Sequence, residues 1–138
     1  MTLYTIGYGG RSGPEFVSLI RHHGIRQICD VRLRPDRSAL GIFTLSKNPD
    51  KGILKLLSGV CQYQSVVSLG NVFLDDPAWG SKYRQLLDQS GTLPAEPVIA
   101  AKHPLALQCA GKSHVDCHRS LTADFPARQR DWQFVHIP

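Results

Sequence analysis

Short strand-like runs alternate along the chain with longer segments that have helical spacing, and this alternation limits the possible folds. Five runs are apolar or rich in β-branched residues: 3–6, 25–31, 60–63, 105–109 and 132–137. Such runs, separated by amphipathic helical patterns, predict right-handed βαβ crossovers and a mainly parallel sheet. We therefore predict a single-domain α/β three-layer sandwich over residues 1–138, with about five strands and helices on both faces.

The segments between the predicted strands have the end signals of helices. Proline or a capping residue precedes several of them, and glycine follows the first two. The predicted helices cover residues 14–23, 49–58, a stretch that begins near 76, 96–102 and 117–130.

Composition excludes several classes of protein. The 138 residues are 42% hydrophobic and 20% charged, which is typical of a globular chain rather than a disordered one. The sequence shows neither a signal-peptide pattern nor an apolar run of membrane-spanning length. We therefore predict a cytoplasmic protein without a membrane partner and without a cofactor. In that compartment the cysteines are expected to be reduced; they are Cys29, Cys61, Cys109 and Cys117.

The densest group of chemically active side chains lies at residues 109–119, which read Cys-Ala-Gly-Lys-Ser-His-Val-Asp-Cys-His-Arg. The segment joins a predicted strand end to a predicted helix start, where α/β proteins place ligand sites. A zinc site is disfavoured because the spacing is unusual for its candidate ligands, which are Cys109, His114, Cys117 and His118. A cysteine phosphatase is disfavoured because Val115 and Ala123, not arginines, stand six residues after the two cysteines.

Three interpretations of this segment stay open. In the first, Cys109 or Cys117 is a nucleophile, and a helix dipole together with Arg119 lowers the pKa of the Cys117 thiol. In the second, residues 117–119 form an anion-binding helix start, with His118 as an acid or base. In the third, the thiols are small buried apolar groups.

A glycine-rich turn, Gly-Tyr-Gly-Gly-Arg-Ser-Gly, follows the first predicted strand at residues 7–13. It falls one residue short of the dinucleotide fingerprint, because Ser12 replaces the third glycine. The chain is also short for a dinucleotide fold with a catalytic domain, so a nicotinamide or flavin cofactor is disfavoured. Gly7 and Arg11 are instead predicted to contact an anion, unless the turn is purely structural.

Asp30 and Arg32 stand two residues apart at the end of the second predicted strand, so their side chains share a face. They are expected to form an ion pair that either orients Arg32 toward an anion or only fixes the loop. Arg32, Arg34 and Arg37 also form the tightest basic group in a chain of net charge +5, which favours anionic partners.

Taken in order, these motifs resemble the domain-of-unknown-function family 488. The shared pattern comprises Thr-Ile-Gly at 5–7, Asp-Val-Arg at 30–32, Pro35 with Ser38, Leu-Gly at 69–70, Cys109, Cys-His-Arg at 117–119 and Val-His-Ile at 135–137. The chain departs from the family at Tyr8-Gly9, where His-Ser is usual, and at Gly111-Lys112, where an acid is frequent. The resemblance implies an α/β fold with a site built from these motifs, and the family carries no settled activity.

The prediction from sequence is a small enzyme that acts on an anionic, phosphate- or nucleotide-containing substrate at the carboxyl ends of parallel strands. The predicted catalytic residues are Cys109, Cys117, His118 and Asp30. The predicted substrate-binding residues are Gly7, Arg11, Arg32 and Arg119, and no metal ligand is assigned. The alternatives are a nucleic-acid-binding module that uses the basic rim at residues 32–37, and a non-catalytic regulatory or interaction domain.

Overall fold

The computed structural model describes residues 2–38, 40–70, 72–73, 76–90, 98, 100–101, 103–110 and 119–138, and only the backbone at 90, 119–121, 125 and 129. Five strands are present: β1 Thr2–Gly7, β2 Gln27–Asp30, β3 Gln62–Ser65, β4 Leu105–Cys109 and β5 Gln133–His136. They form one all-parallel sheet in the order β3-β2-β4-β1-β5. This confirms the predicted α/β fold with a parallel sheet. That helices cover both faces of the sheet stays a prediction.

Four α-helices accompany the sheet in the part of the chain that is described: α1 Gly13–His22, α2 Gly52–Leu57, α3 Trp79–Ser90 and α4 Arg119–Arg130. Short 3-10 turns cover Gly41–Phe43 and Val67–Leu69. The short helix predicted at 96–102 falls largely outside the described residues. None of the described helices is long and apolar enough to cross a membrane.

The boundaries of β4 agree with the prediction, whereas β3 begins at 62 instead of 60. The N–H groups of Val60 and Cys61 donate to the Leu57 carbonyl at 2.9 and 3.3 Å, which closes the turn after α2. Strand pairing starts only where Gln62 N donates to the Arg26 carbonyl at 3.0 Å. The turn thus uses two residues that strand propensity assigned to β3.

Helix α1 begins at a conventional cap. The Ser12 side chain accepts a hydrogen bond from Glu15 N at 3.2 Å, and Pro14 stands in the first turn, where its missing N–H costs nothing. Phe16 and Ile20, one turn apart, are fully buried. The cap and the buried face together place the start of α1 directly after the glycine-rich turn that leaves β1.

Alternate residues of β4 belong to different clusters of buried side chains. Leu105, Leu107 and Cys109 pack in the first cluster, together with Val31. Ala106 packs in the second cluster, which also contains other residues of β1 and β2. Since successive strand residues point to opposite faces, the two clusters mark the two faces of the sheet at β4.

The direction in which the chain moves across the sheet changes at β4. From β1 and β2 the chain continues toward the β3 edge, whereas from β4 it continues toward the β5 edge. In open parallel sheets, ligands bind outside the carboxyl ends of strands at such a reversal. The carboxyl ends of β1, β2 and β4 therefore mark the place where a site is expected.

Candidate functional site

A buried ion pair joins Asp30, the last residue of β2, to Arg32. Arg32 Nη2 lies 2.7 Å from Asp30 Oδ2, and Nε lies 2.9 Å from Oδ1. The backbone N–H of Arg32 also donates to Oδ1, at 3.1 Å. Asp30 is 0% and Arg32 6% exposed. The expected ion pair is thus present as a bidentate fork, the geometry that suits arginine and carboxylate.

Two tyrosines and a serine extend this pair into a network. The Tyr63 hydroxyl of β3 donates to Asp30 Oδ2. Arg32 Nη1 donates to the Tyr8 hydroxyl at 3.5 Å, and this hydroxyl lies 3.0 Å from Ser38 Oγ. The centre of the Tyr8 ring also lies 5.2 Å from the guanidinium carbon of Arg32. We call these five residues the Asp30 network.

Electrostatics keep the donors of the Asp30 network protonated. Burial by itself disfavours the charged guanidinium, but the hydrogen bonds and the charge of Asp30 outweigh it and raise the pKa of Arg32. Burial, and then the charge of Asp30, raise the pKa of Tyr63. Asp30 accepts from Arg32 through both oxygens and from Tyr63 through Oδ2. This arrangement favours the orienting role of Asp30 over a role as a base.

Asp30 lies between two side chains that have an unpaired buried atom. Its register partners are Ser65 on β3 and Gln108 on β4. Ser65 Oγ and Gln108 Oε1 are both buried and have no hydrogen-bond partner within the described part of the chain. Tyr8, Tyr63 and these two residues were missing from the sequence prediction. For Gln108, a usable signal was a lone polar residue inside the apolar run at 105–109.

Cys109 does not join the Asp30 network. Its side chain packs in the first cluster, whereas the adjacent Gln108 points to the other face, which it shares with Asp30. Cys109 is also disulfide-bonded, and Cys29 and Cys61 are free. The expectation that all four cysteines are reduced was therefore wrong for Cys109 in this structure. Proximity of two sulfur atoms decides such a bond, and composition does not reveal it.

The turn after β1 is held by contacts within the chain. Tyr8 N and Gly9 N donate to the carbonyls of Cys109 and Ala110, at 3.3 and 2.8 Å. Arg11 Nε donates to the Gly7 carbonyl at 2.7 Å, and its Nη2 donates to the carbonyl of Pro138. The backbone bonds join the ends of β1 and β4, and the Arg11 bonds hold its side chain against the main chain. Together they favour the structural interpretation of the turn over anion contact by Gly7 and Arg11.

The structure describes the remaining predicted residues only in part. Cys117 and His118 lie outside the described residues, as does the zinc candidate His114. Helix α4 begins at Arg119, for which only the backbone is described. Within the described part of the chain, no group of three or more His, Cys, Asp or Glu side chains could hold a metal ion.

Arg32 does not belong to an exposed basic rim at residues 32–37, because it is buried and paired with Asp30. Arg34 is about half exposed, 3.4 Å from Asp36, and Arg37 is exposed. A nucleic-acid surface at residues 32–37 would therefore rest on two arginines, one of them next to a carboxylate. This is a small footprint for binding to a phosphate backbone.

The family resemblance is neither supported nor contradicted by comparison with known proteins, so membership of family 488 stays a prediction. Searches of protein-family models, curated proteins and solved structures gave no match to the chain.

Proposed function

We propose that the chain is a small enzyme that binds an anionic, phosphate- or nucleotide-containing substrate at the carboxyl edge of its parallel sheet. The observation that best supports this proposal is the orientation of Arg32. A guanidinium has five N–H groups, and Asp30 and Tyr8 accept from Nε, Nη1 and Nη2. The remaining N–H groups, on Nη1 and Nη2, have no acceptor among the described residues and are free to bind an anion.

The ion pair with Asp30 favours anion binding because it fixes the orientation of the Arg32 guanidinium in advance. Because Asp30 holds Nε and Nη2, the guanidinium cannot rotate freely, and Nη1 is directed toward Tyr8 and Ser38. A donor that is fixed before the ligand arrives loses little conformational entropy on binding. Arg32 also lies beside the place at β4 where the chain changes its direction across the sheet. Ligands bind at such places in open parallel sheets.

Chemistry in this proposal belongs to residues 117–118 and to Arg119, the first residue of α4. His118 acts as an acid or base and Arg119 is the second cation for the anion. Cys117 is the candidate nucleophile in its reduced form, because only a thiolate is nucleophilic. Cys109 takes no part, because its side chain packs on the face opposite to Asp30. Arg11 is given no part in substrate binding in this proposal, because its Nε and Nη2 donate to carbonyl groups within the chain.

Calorimetric titration of the protein with inorganic phosphate and with a nucleoside monophosphate tests the binding step. We expect Arg32→Lys to weaken both affinities by about tenfold or more, since lysine lacks the planar fork. Arg34→Lys, a matched change at an exposed arginine, is expected to have no effect. Absence of phosphate binding by the wild-type protein, or equal binding by Arg32→Lys, would contradict the proposal.

Turnover of a panel of phosphate esters tests the catalytic step. We expect the double variant Cys117→Ser/His118→Asn to lose turnover while it still binds phosphate. Retention of turnover in this variant would remove both residues from the chemistry.

A further inference from the structure

Gln108 is a fully buried residue beside Asp30, and its side-chain oxygen has no hydrogen-bond partner among the described residues. Ser65, Asp30 and Gln108 form a row of register partners on adjacent strands, close to the carboxyl ends of these strands. Gln108 is 0% exposed, and its Nε2 donates to the Cys109 carbonyl at 3.4 Å. This bond orients the amide so that Oε1 is the atom without a partner.

The unpaired Oε1 of Gln108 favours a ligand that donates a hydrogen bond. A buried carbonyl oxygen without a donor is costly, because it has lost its hydrogen bonds to water and gained none in return. A ligand that donates an O–H or N–H bond to Gln108 Oε1 recovers this loss. A ligand that has only acceptors leaves the oxygen unpaired and places a second acceptor near it.

We propose that Gln108 makes the site selective for a singly protonated phosphate group, as in inorganic phosphate or a phosphate monoester. This inference rests on the proposed function and names its substrate class. Arg32 donates to the unprotonated oxygens of the phosphate, and Gln108 Oε1 accepts from its remaining P–O–H group. Sulfate has the same shape and no such proton, so it is rejected, as are phosphate diesters.

The decisive comparison is phosphate against sulfate, measured by calorimetric titration at about pH 6, where a phosphate group still retains a proton to a large extent. The wild-type protein is expected to bind phosphate at least about tenfold more tightly than sulfate, because a buried acceptor strongly rejects analogues that lack the donor. Gln108→Met removes the acceptor at nearly unchanged side-chain length. In this variant the ratio of the two affinities is expected to fall to about one.

The matched control is Gln62→Met, at an exposed glutamine on β3, which leaves the affinity ratio unchanged. Equal binding of phosphate and sulfate by the wild-type protein, with both weakened by Arg32→Lys, overturns the inference and leaves the proposed function standing. Binding of neither anion, or anion binding that does not depend on Arg32, overturns the proposed function and the inference together. The wild-type ratio decides the matter even where Gln108→Met does not fold.

Discussion

The Asp30 carboxylate holds the Arg32 guanidinium in a buried fork, with Arg32 Nη2 2.7 Å from Asp30 Oδ2. The two residues are neighbours in sequence, but the pair is completed from other parts of the chain. Tyr63 donates to Asp30 from β3, and Tyr8 accepts from Arg32 in the turn after β1. Opposite charges thus cancel inside the protein while the orientation of the guanidinium is fixed.

Removal of the Asp30 carboxylate should destabilise the protein strongly. Asp30→Ala leaves the buried Arg32 without its counter-charge, and breaking a buried pair in this way costs about 3–5 kcal/mol. The free energy of unfolding, measured by urea denaturation, is the relevant quantity. The control is Asp36→Ala, which breaks the exposed contact with Arg34 and should leave stability unchanged within error. Equal losses in the two variants would contradict the importance of burial.

The Tyr83 hydroxyl is expected to stabilise the packing of α3. It donates to the Leu69 carbonyl at 2.6 Å and lies 2.5 Å from Thr122 Oγ1 of α4, in a buried environment. Tyr83→Phe should lower the free energy of unfolding by about 1–2 kcal/mol, because it takes a hydrogen-bond partner from two buried groups. Tyr4→Phe, at a half-buried tyrosine of β1, is the control and should change stability little. A loss in Tyr4→Phe as large as that in Tyr83→Phe would speak against this role.

Gly52, the first residue of α2, and Gly59, two residues after its end, should differ in their tolerance of alanine. Both have positive φ, +67° and +74°, which costs an alanine about 1–2 kcal/mol. A Cβ at position 52 would lie 2.0 Å from the Thr44 carbonyl oxygen, whereas one at position 59 meets nothing within 4 Å. Gly52→Ala should therefore destabilise the protein clearly more than Gly59→Ala in thermal denaturation. Similar melting temperatures of the two variants would show that the Thr44 loop yields easily.

Stability should decline in the alkaline range. Burial raises the pKa of the Cys61 thiol from 9.0 to about 11, and burial together with the charge of Asp30 raises that of Cys29 to about 12. Well below pH 9 both thiols are protonated in the folded and the unfolded chain, so they add no dependence on pH. Above it the unfolded chain releases these protons first, so the free energy of unfolding falls as the pH rises toward 11 and 12.

Urea midpoints between about pH 8 and pH 11 measure this decline. Cys61→Ala should make the decline shallower, whereas Gln62→Ala, at a neighbouring residue that does not titrate, should leave it unchanged. A Cys61→Ala variant as sensitive to alkali as the wild-type protein would exclude a contribution from this thiol.

Local patterns accounted for the strands and for the ion pair. β4 has the predicted boundaries because its apolar run has no competing turn, and Asp30 and Arg32 meet because they are two residues apart on a strand end. The face that each side chain occupies was harder to predict. Cys109 and Asp30 both end strands at the same edge, yet Cys109 packs on the opposite face. Strand ends alone do not reveal that difference, which depends on the register between β2 and β4.

The alternation of elements and the spacing of Asp30 and Arg32 were determined by the sequence itself, because backbone propensity and periodicity act over a few residues. The tertiary structure alone decided which distant side chains complete the pair. Tyr8 and Tyr63 reach it through the strand order, and Gln108 lies beside it through the β2–β4 register. Strand order and register result from burial of the whole sheet, in which residues far apart in sequence compete for the same core. The arrangement of side chains around Asp30 and Arg32 therefore depends on the assembly of the whole sheet.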